Sequence, residues 1–161
     1  MDLTNAALVT HGGCMDGSGC AIVFCAAGGK KENVFYAPPG KGDAAVEELL
    51  SWQGPIFIAD ISVSKEFALS AKFESDFVVL LDHHKSALPL VEIPWCEIEE
   101  ENNRCGSKML YDWFVKRKVG NQNRLLKYEK LVTAIDDRDR WIHNVEESAI
   151  LSDLHGCIRS E

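Results

Sequence analysis

Side chains able to bind divalent cations follow directly after three short apolar segments of this sequence. His11 comes after ALVT, Asp60 after PIFIA, and Asp82-His83-His84 after FVVLL. Mixed imidazole and carboxylate ligation suits manganese, iron or zinc. Two such ions about 3.5–4 Å apart polarise a phosphoryl group and activate water at neutral pH. The residue types therefore indicate metal-dependent hydrolysis of a phosphoester.

Two further acidic segments extend this set. Asp16 follows His11 closely, and the segment 135–141, IDDRDRW, lies at the end of a predicted helix. Carboxylates at a helix C-terminus face the negative end of the helix dipole, which costs about 0.3–1 kcal/mol each. Arg138 and Arg140 offset part of that cost. A cation ligand explains this cluster more specifically than a solvated run of charges does.

Each of these residues taken singly also has a structural explanation. His11 could be a loop residue or a helix cap, and Asp60 could equally cap a helix or stabilise a turn. The adjacent pair His83-His84 is less easily explained, because consecutive side chains of a regular strand point to opposite faces. We expect the strand to break into a loop at this pair.

The elements that must position these residues alternate between apolar runs and helical patterns. Strands are predicted near residues 6–10, 34–37, 55–59, 77–81 and 95–98, and helices near 17–27, 43–52, 64–72, 107–116 and 122–136. Continuous apolar strands are typical of parallel sheets covered on both faces. The prediction is therefore an α/β fold with a largely parallel five-stranded sheet and helices on both faces. Right-handed crossovers bring all the carboxyl ends to one edge, where open α/β sheets bind ligands.

Composition narrows the class of protein further. The net charge of −8 has the wrong sign for gripping long nucleic acid, although bound cations would reverse the local field. The sequence contains neither a membrane-length apolar run nor a secretory signal, so we expect a cytosolic protein with no membrane partner. The six cysteines form no CxxC pair, and three of them, Cys14, Cys20 and Cys25, lie in or beside an apolar stretch. We interpret them as buried free thiols.

Four ordered segments resemble the motifs of one family. LDHHK at 81–85 resembles the signature of the DHH phosphoesterases, and HGGCMDG at 11–17 resembles their first motif. IAD at 58–60 resembles the second motif and TAIDDRDRW at 133–141 the fourth. The resemblance covers nearly all of the chain. It implies a DHH-type metal-binding domain over residues 1–145, with 146–161 as a tail or the start of a missing second domain.

The resemblance also implies two divalent ions, typically Mn²⁺, with Mg²⁺ as the alternative. Asp60 would bridge the ions, with His11 on one and His83 on the other. Asp137 would complete the set of ligands around the second ion, although the register also permits Asp139. The implied metal ligands are therefore His11, Asp16, Asp60, His83 and Asp137.

The implied catalytic residues are His84, Asp82 and Arg138. His84 would face the substrate phosphate, and Asp82 would orient a neighbouring histidine. Arg138 would contact phosphate, with Arg140 and Lys85 as alternatives. An exposed aromatic side chain could stack on a base.

Two departures from the family pattern stand out. Many members have aspartates four and six residues after the first histidine, where this chain has Met15 and Gly17 with Asp16 between them. This resembles a variant branch with an H…C-x-D-G pattern. The second departure concerns the smaller C-terminal domain that usually closes over the cleft in this family. Residues 148–161 do not resemble it, so we expect either a truncated fragment or a minimal natural form.

The predicted activity is metal-dependent hydrolysis of phosphodiester or phosphomonoester bonds in small substrates. These would be short single-stranded RNA or DNA, dinucleotides or related phosphoesters. Hydrolysis of pyrophosphate or polyphosphate is an alternative within the same chemistry. A non-catalytic metal- or nucleotide-binding module is an alternative from a different class of protein.

Overall fold

Five parallel strands form the single sheet of the computed structural model, which describes residues 1–101 and 103–159. The strands are β1 (Ala7–His11), β2 (Val34–Ala37), β3 (Ile56–Ala59), β4 (Val78–Asp82) and β5 (Cys96–Ile98). Their order in the sheet is β2-β1-β3-β4-β5. The chain adds β2 on one side of β1 and then adds β3, β4 and β5 on the other side. The connections after β1 and β3 therefore diverge, and open sheets of this kind bind ligands in the crevice that this leaves.

Helices connect the strands and cover both faces of the sheet. They are α1 (Met15–Ala27), α2 (Gly42–Glu47), α3 (Lys65–Ser70), α4 (Gly106–Arg117), α5 (Gln122–Leu125), α6 (Glu129–Asp139) and α7 (Glu146–Arg159). Short 3-10 segments occupy Lys31–Asn33, Lys85–Leu90 and Leu126–Tyr128. Within the described ranges, no helix combines the length and the apolar character that crossing a membrane requires.

Alternate residues of each central strand enter two separate cores. Phe57 and Ala59 of β3 face the core formed with α1, α4 and α6, whereas Ile56 and Ile58 face the other side of the sheet. Phe57 contacts Phe114 edge to face, with ring centroids 5.0 Å apart. Burial on both faces explains why these strands read as continuous apolar runs. The predicted α/β fold with a parallel five-stranded sheet is confirmed.

Several boundaries of the helices differ from the sequence prediction. Helix α1 begins at Met15 rather than residue 17, because Cys14 caps it by accepting a hydrogen bond from the Gly17 amide. The predicted helix 122–136 is divided into α5, a 3-10 segment and α6, and α6 continues to Asp139. Helix α2 spans Gly42–Glu47 rather than residues 43–52, and the carboxylate of Asp43 accepts hydrogen bonds from the backbone amide and hydroxyl of Ser64.

Residues predicted as a tail form α7 as far as residue 159, and residues 160 and 161 lie outside the described part of the chain. The proposed domain boundary near residue 145 stays a prediction.

Candidate metal centre

Polar side chains converge where β1, β3 and β4 end. His11 is the last residue of β1, Asp60 directly follows β3, and Asp82 is the last residue of β4. The pairing of Thr10 with Ala59, and of Ala59 with Leu81, aligns these ends along one edge. The three strands therefore deliver a histidine, an aspartate and an Asp-His-His run to the same place.

Asp60 lies at the centre of this convergence. Its side chain is 3% exposed, and its backbone adopts a left-handed conformation with φ 60°. Aspartate tolerates this conformation better than most residues because its short polar side chain can form local hydrogen bonds. Helix α4 approaches very closely here, since a Cβ atom on Gly106 would lie 2.6 Å from the Cβ of Asp60.

The two carboxylate oxygens of Asp60 face different sets of side chains. Oδ2 lies 3.1 Å from Cys14 Sγ and 3.9 Å from His11 Nδ1. Oδ1 lies 3.6 Å from His83 Nε2 and 3.9 Å from His84 Nδ1. The two oxygens of Asp60 thus face two different sets of side chains that could serve as metal ligands.

On the first side, His11, Cys14 and Asp60 bring an imidazole, a thiol and a carboxylate together. Their ligand atoms lie within 4.8 Å of one another, and His11 Nδ1 is 3.0 Å from Cys14 Sγ. Cys14 is half-buried at the start of α1. Sequence reasoning missed this residue, because it assigned all the cysteines to ordinary apolar burial.

On the second side, His83 lies among three carboxylates. Its Nε2 is 3.7 Å from Asp16 Oδ2, 3.6 Å from Asp60 Oδ1 and 3.5 Å from Asp139 Oδ2. Asp16, His83 and Asp139 form a second group of closely spaced ligand atoms. Of the two aspartates that the fourth motif offered, Asp139 is the one that the structure brings to this group.

Asp137 and Arg138 point elsewhere. The carboxylate of Asp137 accepts hydrogen bonds from the backbone amides of Asn144 and Val145, at 2.8 and 3.2 Å. It therefore stabilises the loop after α6 rather than joining the ligand groups. The guanidinium of Arg138 lies over the ring of Trp141, 5.3 Å from its centroid. Neither predicted role is supported by these positions.

Asp82 and His84 form a hydrogen-bonded pair beside the cluster. Asp82 Oδ1 lies 2.7 Å from His84 Nδ1, and Asp82 Oδ2 accepts a short hydrogen bond from Ser62 Oγ. Burial alone would raise the pKa of Asp82, but the hydrogen bonds from His84 and Ser62 prevail and lower it. The hydrogen bond to Asp82 raises the pKa of His84. Asp82 therefore stays ionised and fixes the imidazole.

Two aspartates tie the first and fourth motifs to the N-terminus of α4. Asp16 accepts hydrogen bonds from the backbone amides of Gly106 and Ser107, at 2.7 and 2.9 Å. Asp136 accepts one from the amide of Cys105 at 2.7 Å. Carboxylates are favourable at this end of a helix, where backbone amides lack partners and the dipole is positive. These contacts fix α1 and α6 relative to each other through α4.

The electrostatics of the cluster favour a cation. Burial, followed by the charge of Asp16, raises the pKa of Asp60 to about 8. The same causes raise the pKa of Asp139 to about 6, and burial raises the pKa of the Cys14 thiol. Clustered buried carboxylates destabilise one another's charged form, which a divalent ion would relieve. The donor set of imidazole nitrogen, thiol sulfur and carboxylate oxygen fits such an ion.

A cavity of about 440 Å³ opens beside His84. This volume falls within the range of roughly 300–1,000 Å³ that is usual for small-ligand sites. Both polar and apolar side chains line the cavity, among them His11, Asp60, Ile61, Ser62, Val63 and His84. The cavity therefore borders the ligand cluster on one side.

Comparison with known proteins agrees with this chemistry. The chain is similar to an oligoribonuclease. It is 28% identical over 154 residues to oligoribonuclease NrnB of Bacillus subtilis (strain 168), a match that covers 87% of the chain and 39% of NrnB. The chain matches no family model.

A solved structure shares the fold. The crystal structure of an uncharacterized protein from Helicobacter pylori G27 superimposes with a TM-score of 0.68 at 21% identity. The match covers 87% of this chain and 45% of that protein. The chain thus spans less than half the length of either protein, and the structural likeness establishes the fold alone.

Proposed function

We propose that this chain carries the metal-binding domain of a DHH-type phosphoesterase. It would hydrolyse phosphodiester or phosphomonoester bonds in short oligonucleotides, dinucleotides or related small phosphoesters. The observation that carries the proposal is the position of Asp60, whose two oxygens face two separate groups of ligand atoms. The similarity to NrnB, a protein of the DHH family, supports the substrate class.

Two divalent ions would be held by Asp60, by His83 and by residues of the first and fourth motifs. His11, Cys14 and Asp60 surround one position, and Asp16, His83 and Asp139 surround the other, with Asp60 between them. The family resemblance predicts Mn²⁺, with Mg²⁺ as the alternative. When bound, the ions would supply Lewis acidity toward the phosphoryl group and toward water.

The remaining residues would position the substrate. His84 lines the cavity, and Asp82 holds its Nδ1, so Nε2 is the nitrogen that a phosphoryl oxygen can contact. In hydrolysis the oxygen of water bonds to phosphorus, the ester bond breaks, and the departing alkoxide takes up a proton. His84, with its raised pKa, is suited to hydrogen-bond the phosphoryl oxygens as charge develops there.

The acidic character of the chain agrees with a small substrate. A net charge of −8 opposes binding along a long polyanion, whereas a short substrate needs only the cations of the centre. Tyr36 lies at the carboxyl end of β2 with 57% of its surface exposed, a position from which it could stack on a base.

The experiment compares hydrolysis of labelled RNAs of two to five nucleotides, bis-p-nitrophenyl phosphate and pyrophosphate. Each would be assayed with Mn²⁺, with Mg²⁺ and with chelator, beside metal analysis of the same sample. Release of mononucleotides that requires Mn²⁺ and stops with chelator supports the proposal. Preferential cleavage of pyrophosphate would support the alternative reaction. Failure to hydrolyse any substrate and to bind any metal would favour a non-catalytic module.

A further inference from the structure

A sulfur atom belongs to the ligand cluster of the candidate metal centre. Cys14 Sγ lies 3.0 Å from His11 Nδ1 and 3.1 Å from Asp60 Oδ2. The distance from His11 Nδ1 to Asp60 Oδ2 is 3.9 Å. Tetrahedral zinc with bonds of about 2.0–2.3 Å to its ligands separates those ligand atoms by about 3.3–3.8 Å. Each of the three separations differs from the tetrahedral value for its own pair of atoms by about half an ångström, so a small shift of the side chains would place all three atoms around one ion.

Capping of α1 does not by itself explain a cysteine at this position. Sγ accepts a hydrogen bond from the Gly17 amide at 3.1 Å, so Cys14 does cap the helix. Serine, threonine, aspartate and asparagine are the preferred capping residues, and sulfur is a weaker acceptor than oxygen. Cys20, in contrast, is fully buried in the apolar core, and the buried sulfur of Cys105 contacts the Ser107 hydroxyl at 3.3 Å. Only Cys14 directs its sulfur toward both an imidazole and a carboxylate among the described cysteines.

We propose that Cys14 Sγ is a ligand of the ion that His11 and Asp60 hold. This position of the centre would then prefer a thiophilic divalent cation, such as Zn²⁺ or Co²⁺, over Mg²⁺. Thiolates select softer cations, whereas carboxylates and carbonyls suit Mg²⁺ and Mn²⁺. The inference rests on the proposed function, because it names the metal class of the same centre.

Cobalt spectroscopy tests this assignment directly. The full chain, freed of metal with chelator, would be titrated with Co²⁺ while near-ultraviolet absorption reports thiolate-to-cobalt charge transfer. The Cys14→Ser variant keeps an oxygen cap on α1 but loses the sulfur. Cys25→Ser is the matched control, since Cys25 is a half-buried thiol near the other end of the same helix. The charge-transfer band should saturate in the wild type and in Cys25→Ser and be absent in Cys14→Ser.

Affinity provides a second measurement. Zn²⁺ affinity should fall by at least about 10- to 100-fold in Cys14→Ser, the loss that removal of even an outer-shell partner causes. Mg²⁺ affinity should change far less. If Cys14→Ser does not fold, Cys14→Asp, which restores both a cap and an anionic ligand, should bind Mn²⁺ without a charge-transfer band. An unchanged band in either variant, or no band in the wild type, would overturn the assignment.

Hydrolysis is measured on portions of the same metal-free preparations after they are loaded with Mn²⁺. This measurement separates the proposed enzyme activity from the proposed Cys14 ligand. Loss of the band in Cys14→Ser without any hydrolysis by the wild type would uphold the ligand and refute the enzyme. Hydrolysis by the wild type without a band at any Co²⁺ concentration would uphold the enzyme and refute the ligand.

Discussion

Asp82 Oδ1 accepts hydrogen bonds from both the backbone amide and Nδ1 of His84, at 3.2 and 2.7 Å. Both residues thus belong to one rigid unit at the end of β4. The imidazole is held in a single orientation, with Nδ1 facing the carboxylate. Strand β4 ends at Asp82, and the backbone turns there so that the amide of His84 reaches back to the carboxylate.

Ser62→Ala should slow catalysis without removing metal. The substitution deletes the hydroxyl that donates to Asp82 Oδ2 and so loosens the support of His84. We expect turnover to fall by about tenfold or more, as for other outer-shell partners, with unchanged metal content. Steady-state kinetics and metal analysis provide the measurement. Ser70→Ala is the control, because the Ser70 hydroxyl bonds only to carbonyls of α3 in the described contacts.

Asp60→Asn should abolish both hydrolysis and tight metal binding while leaving the fold intact. Asparagine has the same shape and tolerates the left-handed backbone at φ 60°, so strain is not added. Calorimetric titration with Mn²⁺ and circular dichroism would be compared with Asp76→Asn, an exposed aspartate just before β4. A fully active Asp60→Asn variant would rule out the two-ion centre.

Asp139→Asn should affect metal binding, whereas Asp137→Asn should affect thermal stability. Asp139 contributes an oxygen 3.5 Å from His83 Nε2, so its loss should weaken metal binding by about 10- to 100-fold. Asp137 accepts two backbone hydrogen bonds from the following loop, so its loss should lower the Tm and leave metal affinity nearly unchanged. Titration and thermal unfolding of both variants check this. The reverse pattern would restore Asp137 as the ligand.

Gly106→Ala should destabilise the protein and disturb the metal centre together. A Cβ atom at this position would lie 2.6 Å from the Cβ of Asp60 and 2.8 Å from its Cα, so α4 must move away. We expect a loss of about 1–3 kcal/mol in the free energy of unfolding, the usual cost of overpacking. Gly12→Ala provides the control beside the same site, since its nearest contact is an ordinary 3.4 Å to Tyr36. Urea unfolding with and without Mn²⁺ would show whether only Gly106→Ala loses both properties.

Parallel topology made most of the ligand cluster predictable. Strands β1 and β4 end at His11 and Asp82, and Asp60 directly follows β3. The carboxyl ends of parallel strands must meet at one edge of the sheet. The choice between Asp137 and Asp139 was not predictable, because it depends on where α6 ends. Each residue of a helix is rotated by about 100° from the one before it. Asp137 and Asp139, which are two residues apart, therefore face nearly opposite directions.

Cys14 was overlooked for a different physical reason. Free cysteines are usually buried in apolar cores, and the sequence prediction applied this tendency to all six. Cys14, however, lies in the turn between β1 and α1. Its position three residues after a strand-end histidine was the available signal, since so short a turn keeps both side chains at the same sheet edge. Asp16 and Asp136 accept hydrogen bonds from backbone amides at the N-terminus of α4. These contacts join residues far apart in the sequence, so no local sequence pattern predicts them.

The residues around Asp60 come from β1, β3, β4 and α6, and so from nearly the whole length of the chain. In an unfolded chain these side chains are far apart, so a bound cation would favour the native state alone. At a free concentration one hundred times its Kd, an ion stabilises the native state by about 2.7 kcal/mol. A cell short of that cation would then hold a larger unfolded fraction of this protein, which is open to proteolysis.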